Sequence, residues 1–213
     1  MVIEEIMKKT VITAKKETSI QSAVTMMQEN RIRHLPVIND DYEIVGIISD
    51  RDLKEASPSK LQKNKNDLDE LPISELMIKD VLTALPSDFV EEAANTMIEQ
   101  QISCLPVEED GKLIGIITET DLLKTLVKLT GANQPTSRLE VEVPNTSGML
   151  GEVANLIKSY NINIQSVLVY PSKDEYKKIL VFRLQTMDLR MLSKALRKEG
   201  YHVIWPIDME LKS

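Results

Sequence analysis

Residues 46–53 read Gly46-Ile47-Ile48-Ser49-Asp50-Arg51-Asp52-Leu53, and residues 115–122 read Gly115-Ile116-Ile117-Thr118-Glu119-Thr120-Asp121-Leu122. A glycine, two apolar residues, a hydroxyl and then an aspartate occur twice in one order, and that recurrence decides the fold. Working outward, a shift of 70 positions places Met7 on Met77, and Val11, Thr13 and Ala14 on Val81, Thr83 and Ala84. Ala23 and Met27 fall on Ala93 and Met97, while Ile32, Leu35, Pro36 and Val37 fall on Ile102, Leu105, Pro106 and Val107. Shared helical periodicity repeats residue classes but not identities in order. The first part of the chain is therefore a duplicated module.

Each repeat spells the same elements. A short apolar segment, Val11-Ile12-Thr13 in the first, precedes a helix whose apolar residues recur at i, i+3, i+4 and i+7. These are Ile20, Ala23, Val24 and Met27, mirrored by Val90, Ala93, Ala94 and Met97. Thr18 with Gln21, and Asp88 with Glu91, are the expected capping pairs. The helix stops before Leu35-Pro36-Val37, because proline lacks an N–H and disfavours helix in the residue before it. Two strands then flank a polar turn at 39–43, matched at 108–112, where Gly111 takes a positive φ at little cost. A second helix opens at Ser49 or Thr118. The expected order is strand, helix, strand, strand, helix, twice over, with a solvated connector between the repeats at 57–72.

The repeated motif has chemistry in it. A hydroxyl beside the free N–H groups of a helix start can receive phosphate oxygens, and the helix dipole adds positive potential there. An aspartate one turn in can accept hydrogen bonds from both hydroxyls of a ribose. The same spacing also makes a plain capping box, so both readings stand at this point.

With the Leu-Pro-Val strand and the upstream Met…Val-x-Thr start, residues 1–130 resemble a tandem pair of CBS domains, 1–56 and 73–131. The resemblance implies one folded module with two clefts that bind an adenine nucleotide (AMP, ADP, ATP or a related adenosyl ligand) and control a partner. It implies a first cleft of Ser49, Arg51 and Asp52 with Leu82, Ile102 and Ser103. A second would join Thr118, Thr120 and Asp121 with Ile12, Ile32 and Arg33. The apolar members would grip adenine. Arg51 and Arg33 are the natural phosphate partners, since a guanidinium forks onto phosphate oxygens, or else they are solvated surface residues.

After the turn-rich stretch 131–135 the pattern changes, leaving a linker at 132–137 and a new domain over 138–213. Leu139, Val141 and Val143 alternate with charged residues as in a half-buried strand. A helix with Leu150, Val153, Ala154 and Ile157 follows, then strands over 162–170 and 178–185, a helix over 188–199 capped by Gly200, and a last strand at 202–205. This βαββαβ order is ferredoxin-like and gives an α+β fold class for the chain. With Gly148-Met149-Leu150 at the first helix and Ile162-Asn163-Ile164 opening the next strand, it resembles an ACT domain. That implies side-by-side pairing and an amino-acid ligand near Asn145, Gly148, Leu150 and Asn163. Asn145 stands where Asp is frequent and Ser147 where Pro is frequent, which weakens the ligand but not the fold. A CBS pair followed by an ACT domain resembles acetoin-utilisation regulators, which implies a place in acetoin or butanediol catabolism.

Composition narrows the rest. A net charge of −7 and 4% aromatic residues argue against nucleic acid as partner. The single cysteine, Cys104, excludes an intrachain disulfide, and the absence of a signal-like start or an apolar run of about 18 residues makes a cytoplasmic protein without membrane contact the expectation. Two histidines without ligand spacing and no glycine-rich phosphate loop point to a non-catalytic chain with no metal and no catalytic cofactor. His34 either lines a cleft or is structural, and Cys104 in the equivalent place reads as a small buried hydrophobe. Leu122, Leu123, Leu126, Val127 and Leu129 exceed what an isolated module can bury, so a homodimer is expected, and the resemblance implies a metabolic enzyme as its partner. The alternative is a scaffold or dimerisation subunit with empty clefts.

Overall fold

The structure, a computed structural model, describes residues 1–59 and 71–207. They form two compact units, Met1–Leu123 and Lys124–Ser213. Most of the expected connector, 60–70, lies outside the described residues.

In the first unit each repeat is a helix, an antiparallel hairpin and a second helix. The first repeat contains α1 (Ile20–Asn30), β1 (His34–Ile38), β2 (Ile44–Ser49) and α2 (Asp50–Ser59). The second contains α3 (Val90–Gln100), β3 (Cys104–Glu109), β4 (Lys112–Thr118) and the start of α4 (Glu119–Thr130). Leu35 faces Ile48 and Val37 faces Gly46 in one hairpin; Leu105 faces Ile117 and Val107 faces Gly115 in the other. Consecutive residues 35–38 and 104–107 are all buried, so both faces of these strands are covered, and their near-continuous apolar run follows from that.

Local details differ from the sequence expectation in four places. The cap of α1 is Ser19, whose Oγ accepts from Ser22 N–H at 3.2 Å, while Thr18 Oγ1 accepts from Lys15 N–H at 3.1 Å. Likewise Asp88 accepts from Leu85 N–H at 2.8 Å, and Phe89 N–H, at the true cap, donates to Glu92 at 3.4 Å. Thr18 and Asp88 close the preceding turn instead, so each capping pair sits one residue later than expected. Second, α1 and α3 end on Arg31 and Gln101 in the left-handed region, φ 52° and 56°, which returns the chain before the proline acts. Third, the leading apolar segments form single parallel bridges, Ala14 to Val37 and Ala84 to Val107, and not strands. Fourth, the backbone of 57–59 continues α2, and Leu71 packs on the first core.

The two repeats exchange their leading segments. Ile3, Ile6 and Met7 pack in the second repeat's core, and Ile73, Leu76 and Met77 in the first repeat's. Ile47 and Ile78 exchange two backbone hydrogen bonds of 2.9 Å, and Ile116 and Lys8 exchange two of 3.0 Å. The crossing explains the motif's glycine: a Cβ on Gly46 would lie 2.6 Å from Met77 Sδ, and one on Gly115 would lie 2.5 Å from Met7 Sδ. It also delivers residues 78–82 of the second repeat beside Ser49 of the first.

The second unit contains β5 (Ser137–Pro144), α5 (Met149–Ser159), β6 (Ile164–Pro171), β7 (Lys177–Leu184), α6 (Arg190–Lys198) and β8 (His202–Trp205). Its antiparallel sheet has the order β6-β7-β5-β8, the ferredoxin-like arrangement. Leu139, Val141 and Val143 point to the same core as Val153, Ile157, Phe182, Leu192 and Leu196, so the alternation in β5 and the stripes of both helices meet. The end of α4 belongs here, with Ser166 Oγ donating to Thr130 O at 2.8 Å. The compact units meet within the sequence of α4, between Leu123 and Lys124.

Candidate functional site

Ser49 and Thr118 end a strand, and the next residue starts a helix. Asp52 Oδ2 accepts from Ser49 N–H at 2.8 Å and from Ser49 Oγ–H at 2.7 Å, and Ser49 Oγ accepts from Asp52 N–H at 3.3 Å. Thr118 and Asp121 repeat this at 3.1, 2.6 and 3.4 Å. Each motif is thus a reciprocal cap. Both hydrogen bonds that each carboxylate accepts go to its Oδ2. Oδ1 of Asp52 and of Asp121 receives no hydrogen bond from the described residues; Asp121 is buried.

A cavity of about 360 Å³ opens beside the first motif, a volume within the ~300–1,000 Å³ typical of small-molecule pockets. Ser49, Arg51, Asp52, Leu82, Ile102 and Ser103 all line it, so the structure brings together the residues that the resemblance assigned to one cleft. The exposed Leu82 and half-buried Ile102 supply apolar surface, and Arg51 makes no ion pair with the described residues. Ile78, Asp80 and Glu119 also line the cavity and were missed. The crossing of the leading segments is what brings Ile78 and Asp80 there, and only the repeat register of Ile78 on Lys8 hinted at a shared position.

The second group is gathered less completely. Ile12 and Ile32 are half-buried against the first repeat's core, Asp121 is buried, and Thr120 is exposed at the start of α4. Arg33, which the resemblance assigned to the second cleft, also lines the first cavity. The cause is local: Asp50 N–H, at the start of α2, donates to Arg33 O at 2.9 Å and fixes Arg33 beside the first motif.

His34 also lines the first cavity, and its Nε2 lies 2.8 Å from Ser103 Oγ, a link between the two repeats. Burial, then the charge of Arg33, pushes its pKa below the usual histidine value against the opposing pull of Asp50, Asp52 and Glu119. The ring is therefore neutral at pH 7. Burial pushes the Cys104 thiol up to about 12, which rules out a thiolate there. Among the described residues no group of three or more His, Cys, Asp or Glu is placed to hold a metal ion. Nor is any described helix long and apolar enough to cross a membrane.

In the second unit, Gly148 takes φ +94° at the start of α5 with open space where a Cβ would be, and Leu150 is exposed on the first turn. Asn145 N–H donates to Tyr176 O at 2.7 Å, and Asn163 Nδ2–H donates to Gln185 Oε1 at 3.0 Å. Asn163 thus holds a strand edge, and Asn145, Gly148 and Leu150 share the connection from β5 into α5.

Family models for the CBS domain match residues 3–59 and 73–128, and one for the ACT domain matches 137–199. The chain belongs to the CBS-domain family. Its CBS pair is followed by an ACT domain, in a mixed helix-and-strand fold. An uncharacterised Methanocaldococcus jannaschii protein, MJ1225, is 28% identical over 83% of this chain and 57% of its own length. The homoserine O-acetyltransferase of Methanococcus vannielii is 33% identical over 59% of this chain and 25% of the enzyme. The chain thus spans little more than half of one relative and a quarter of the other, and the enzyme's match covers no more than the length of the CBS pair.

Among solved structures, the CBS pair of MJ0100, in complex with 5′-methylthioadenosine and S-adenosyl-L-methionine, has a TM-score of 0.54 at 27% identity, covering 63% of this chain and 98% of its own. CBSX2 in complex with AMP has a TM-score of 0.52 at 30% identity, covering 59% and 96%. A Vibrio cholerae structure bearing the name acetoin utilization protein AcuB has a TM-score of 0.56 at 28% identity, covering 64% and 98%. CBS pairs similar to this one therefore bind adenosyl ligands.

Proposed function

We propose that the chain is a non-catalytic regulator whose CBS pair binds an adenine nucleotide or related adenosyl ligand and modulates a metabolic partner. The observation that carries this is the cavity between the repeats. Leu82 and Ile102 offer apolar surface to a base, Asp52 lines the cavity with a carboxylate oxygen that the cap does not use, and Arg51 and Arg33, also on its lining, make no ion pair with the described residues. The adenosyl ligands of MJ0100 and CBSX2 support it, and the likeness to AcuB supports a place in acetoin or butanediol catabolism. Occupancy would act on the partner only by binding two arrangements of the repeats unequally. An amino acid at the connection from β5 into α5 is a second ligand on the same reading.

Calorimetry with AMP, ADP, ATP and S-adenosylmethionine tests the proposal. At least one should bind with micromolar affinity, and Asp52→Ala or Asp121→Ala should weaken it. No heat with any of them removes the sensing role. The reciprocal caps favour one second reading, a scaffold with empty clefts. On that reading a metabolic enzyme would be recovered with the chain regardless of nucleotide, and recovery that needs nucleotide would count against it.

A further inference from the structure

The repeat register allows the two clefts to be compared position by position. The first cavity is lined by four carboxylates, Asp50, Asp52, Asp80 and Glu119, against two guanidiniums, Arg33 and Arg51. The crossing segments are equivalent by hydrogen bonding, since Ile78 pairs with Ile47 as Lys8 pairs with Ile116. Carrying each lining residue to its counterpart, the second cleft presents Lys8 for Ile78, Thr10 for Asp80, Arg31 for Gln101 and Thr120 for Arg51. Its carboxylates are then Asp50, Glu119 and Asp121, balanced by Lys8, Arg31 and Arg33. The repeats have kept the caps and the apolar walls, and they have diverged in charge.

Resting on the adenosyl reading above, we infer that the clefts divide their ligands by charge. The second takes a polyphosphorylated nucleotide, and the first takes a nucleoside or a ligand with at most one phosphate. A triphosphate in the first cavity meets an excess of carboxylates that its two guanidiniums do not neutralise. At the positions that the register assigns to the second cleft, Lys8 and Arg31 are exposed side chains that make no ion pair with the described residues, and Thr10 and Thr120 add hydroxyls. A partly desolvated site strengthens both effects, because charge-assisted bonds to phosphate are the stronger kind.

The test is calorimetry of the full chain with ATP and with adenosine, on the parent and on a Lys8→Ile/Arg31→Gln double variant. Both substitutions copy the residue that the same fold already carries in the other repeat. Gln101 holds the left-handed position at φ 56°, as Arg31 does at 52°, so the variant keeps its fold, which a melting curve checks. ATP affinity should fall by about tenfold while adenosine binding is unchanged. Asp80→Thr should instead open the first cavity to ATP and raise the stoichiometry. Adenosine binding with ATP affinity unaltered in the double variant overturns the division of ligands and leaves the sensing role intact. Neither ligand binding the parent chain overturns the sensing role itself, and this inference with it.

Discussion

Gly46→Ala is the sharpest test of the crossed arrangement, because two physical effects predict opposite signs. Gly46 sits in β2 with ordinary negative φ, where alanine normally stabilises by about 0.4–1 kcal/mol through the unfolded chain. Here a Cβ would meet Met77 Sδ at 2.6 Å, Met77 Cγ at 3.0 Å and the Ile78 carbonyl oxygen at 3.1 Å. Optimal carbon contacts lie near 3.5–4.0 Å, so roughly 1 Å has to be recovered by moving Met77 or the strand above it. Overpacking of that kind costs about 1–3 kcal/mol, which outweighs the entropic gain. For a unit of Met1–Leu123 this corresponds to a melting temperature lower by roughly 3–10 °C. Met77→Ala alone removes half-buried packing and is destabilising by about 2 kcal/mol or more. The double variant should cost less than the sum of the two, with a coupling of about 0.5–3 kcal/mol read from urea denaturation. A Gly46→Ala chain as stable as the parent, or strictly additive effects, would show that the two segments do not press on one another.

His34 is held neutral by burial and Arg33, with Asp50, Asp52 and Glu119 opposing, so the unfolded chain binds the proton more readily. The stability of the first unit should fall as pH drops below about 6.5, and His34→Gln should flatten that limb of a pH-dependent urea series. Hydrogen bonds from Ser172, His202 and Lys177 hold the Glu142 carboxyl down at about 2. That contribution is full above about 4.5 and is lost as pH falls toward 2; fluorescence of Trp205, the only tryptophan, should show Glu142→Gln flattening this acid transition. Leu123, Leu126, Val127 and Leu129 are exposed on α4, so light scattering should give a homodimer that Leu126→Glu converts to monomer, and a parent of monomer mass would refute the pairing.

What could be read in advance divides along a physical line. The duplication, the buried stripes of α1 and α3, and the alternation of Leu139, Val141 and Val143 are periodic features, and a period survives without coordinates. The misplaced caps at Thr18 and Asp88 show the limit: several hydroxyl and carboxylate residues cluster before each helix, and which of them reaches a free N–H depends on a turn that composition does not specify. The left-handed ends at Arg31 and Gln101 carry no glycine to announce them. The crossing was hidden for a different reason. Each leading segment is identical in pattern to its counterpart, so packing on its own repeat or on the other satisfies the sequence equally. Gly46 and Gly115 were the only local signs that something passes close above the strand.

The same limit applies to the site, and it bears on function. Cap and ligand site are rival readings of Ser49–Asp52 in the sequence because spacing alone does not separate the two carboxylate oxygens. In the structure the competition is between two oxygens of one carboxylate. Oδ2 accepts both hydrogen bonds that the Asp52 side chain makes in the cap, from Ser49 N–H and Oγ–H, and Oδ1 accepts none from the described residues, while Asp52 lines the cavity. A carboxylate already immobilised by its own helix loses little further freedom on binding, so the cap preorganises a ribose acceptor and does not compete with it. This gives the two substitutions different meanings. Asp52→Asn keeps a side chain that can cap through its oxygen and turns the other atom into a donor, whereas Asp52→Ala removes both and costs about 1 kcal/mol of helix stability as well. If adenosyl binding is lost equally in both while only Asp52→Ala lowers the melting temperature, the oxygen that the cap leaves unused, not the one that caps the helix, carries recognition. Binding that survives in Asp52→Asn and disappears only with the cap would mean that the motif serves the helix alone.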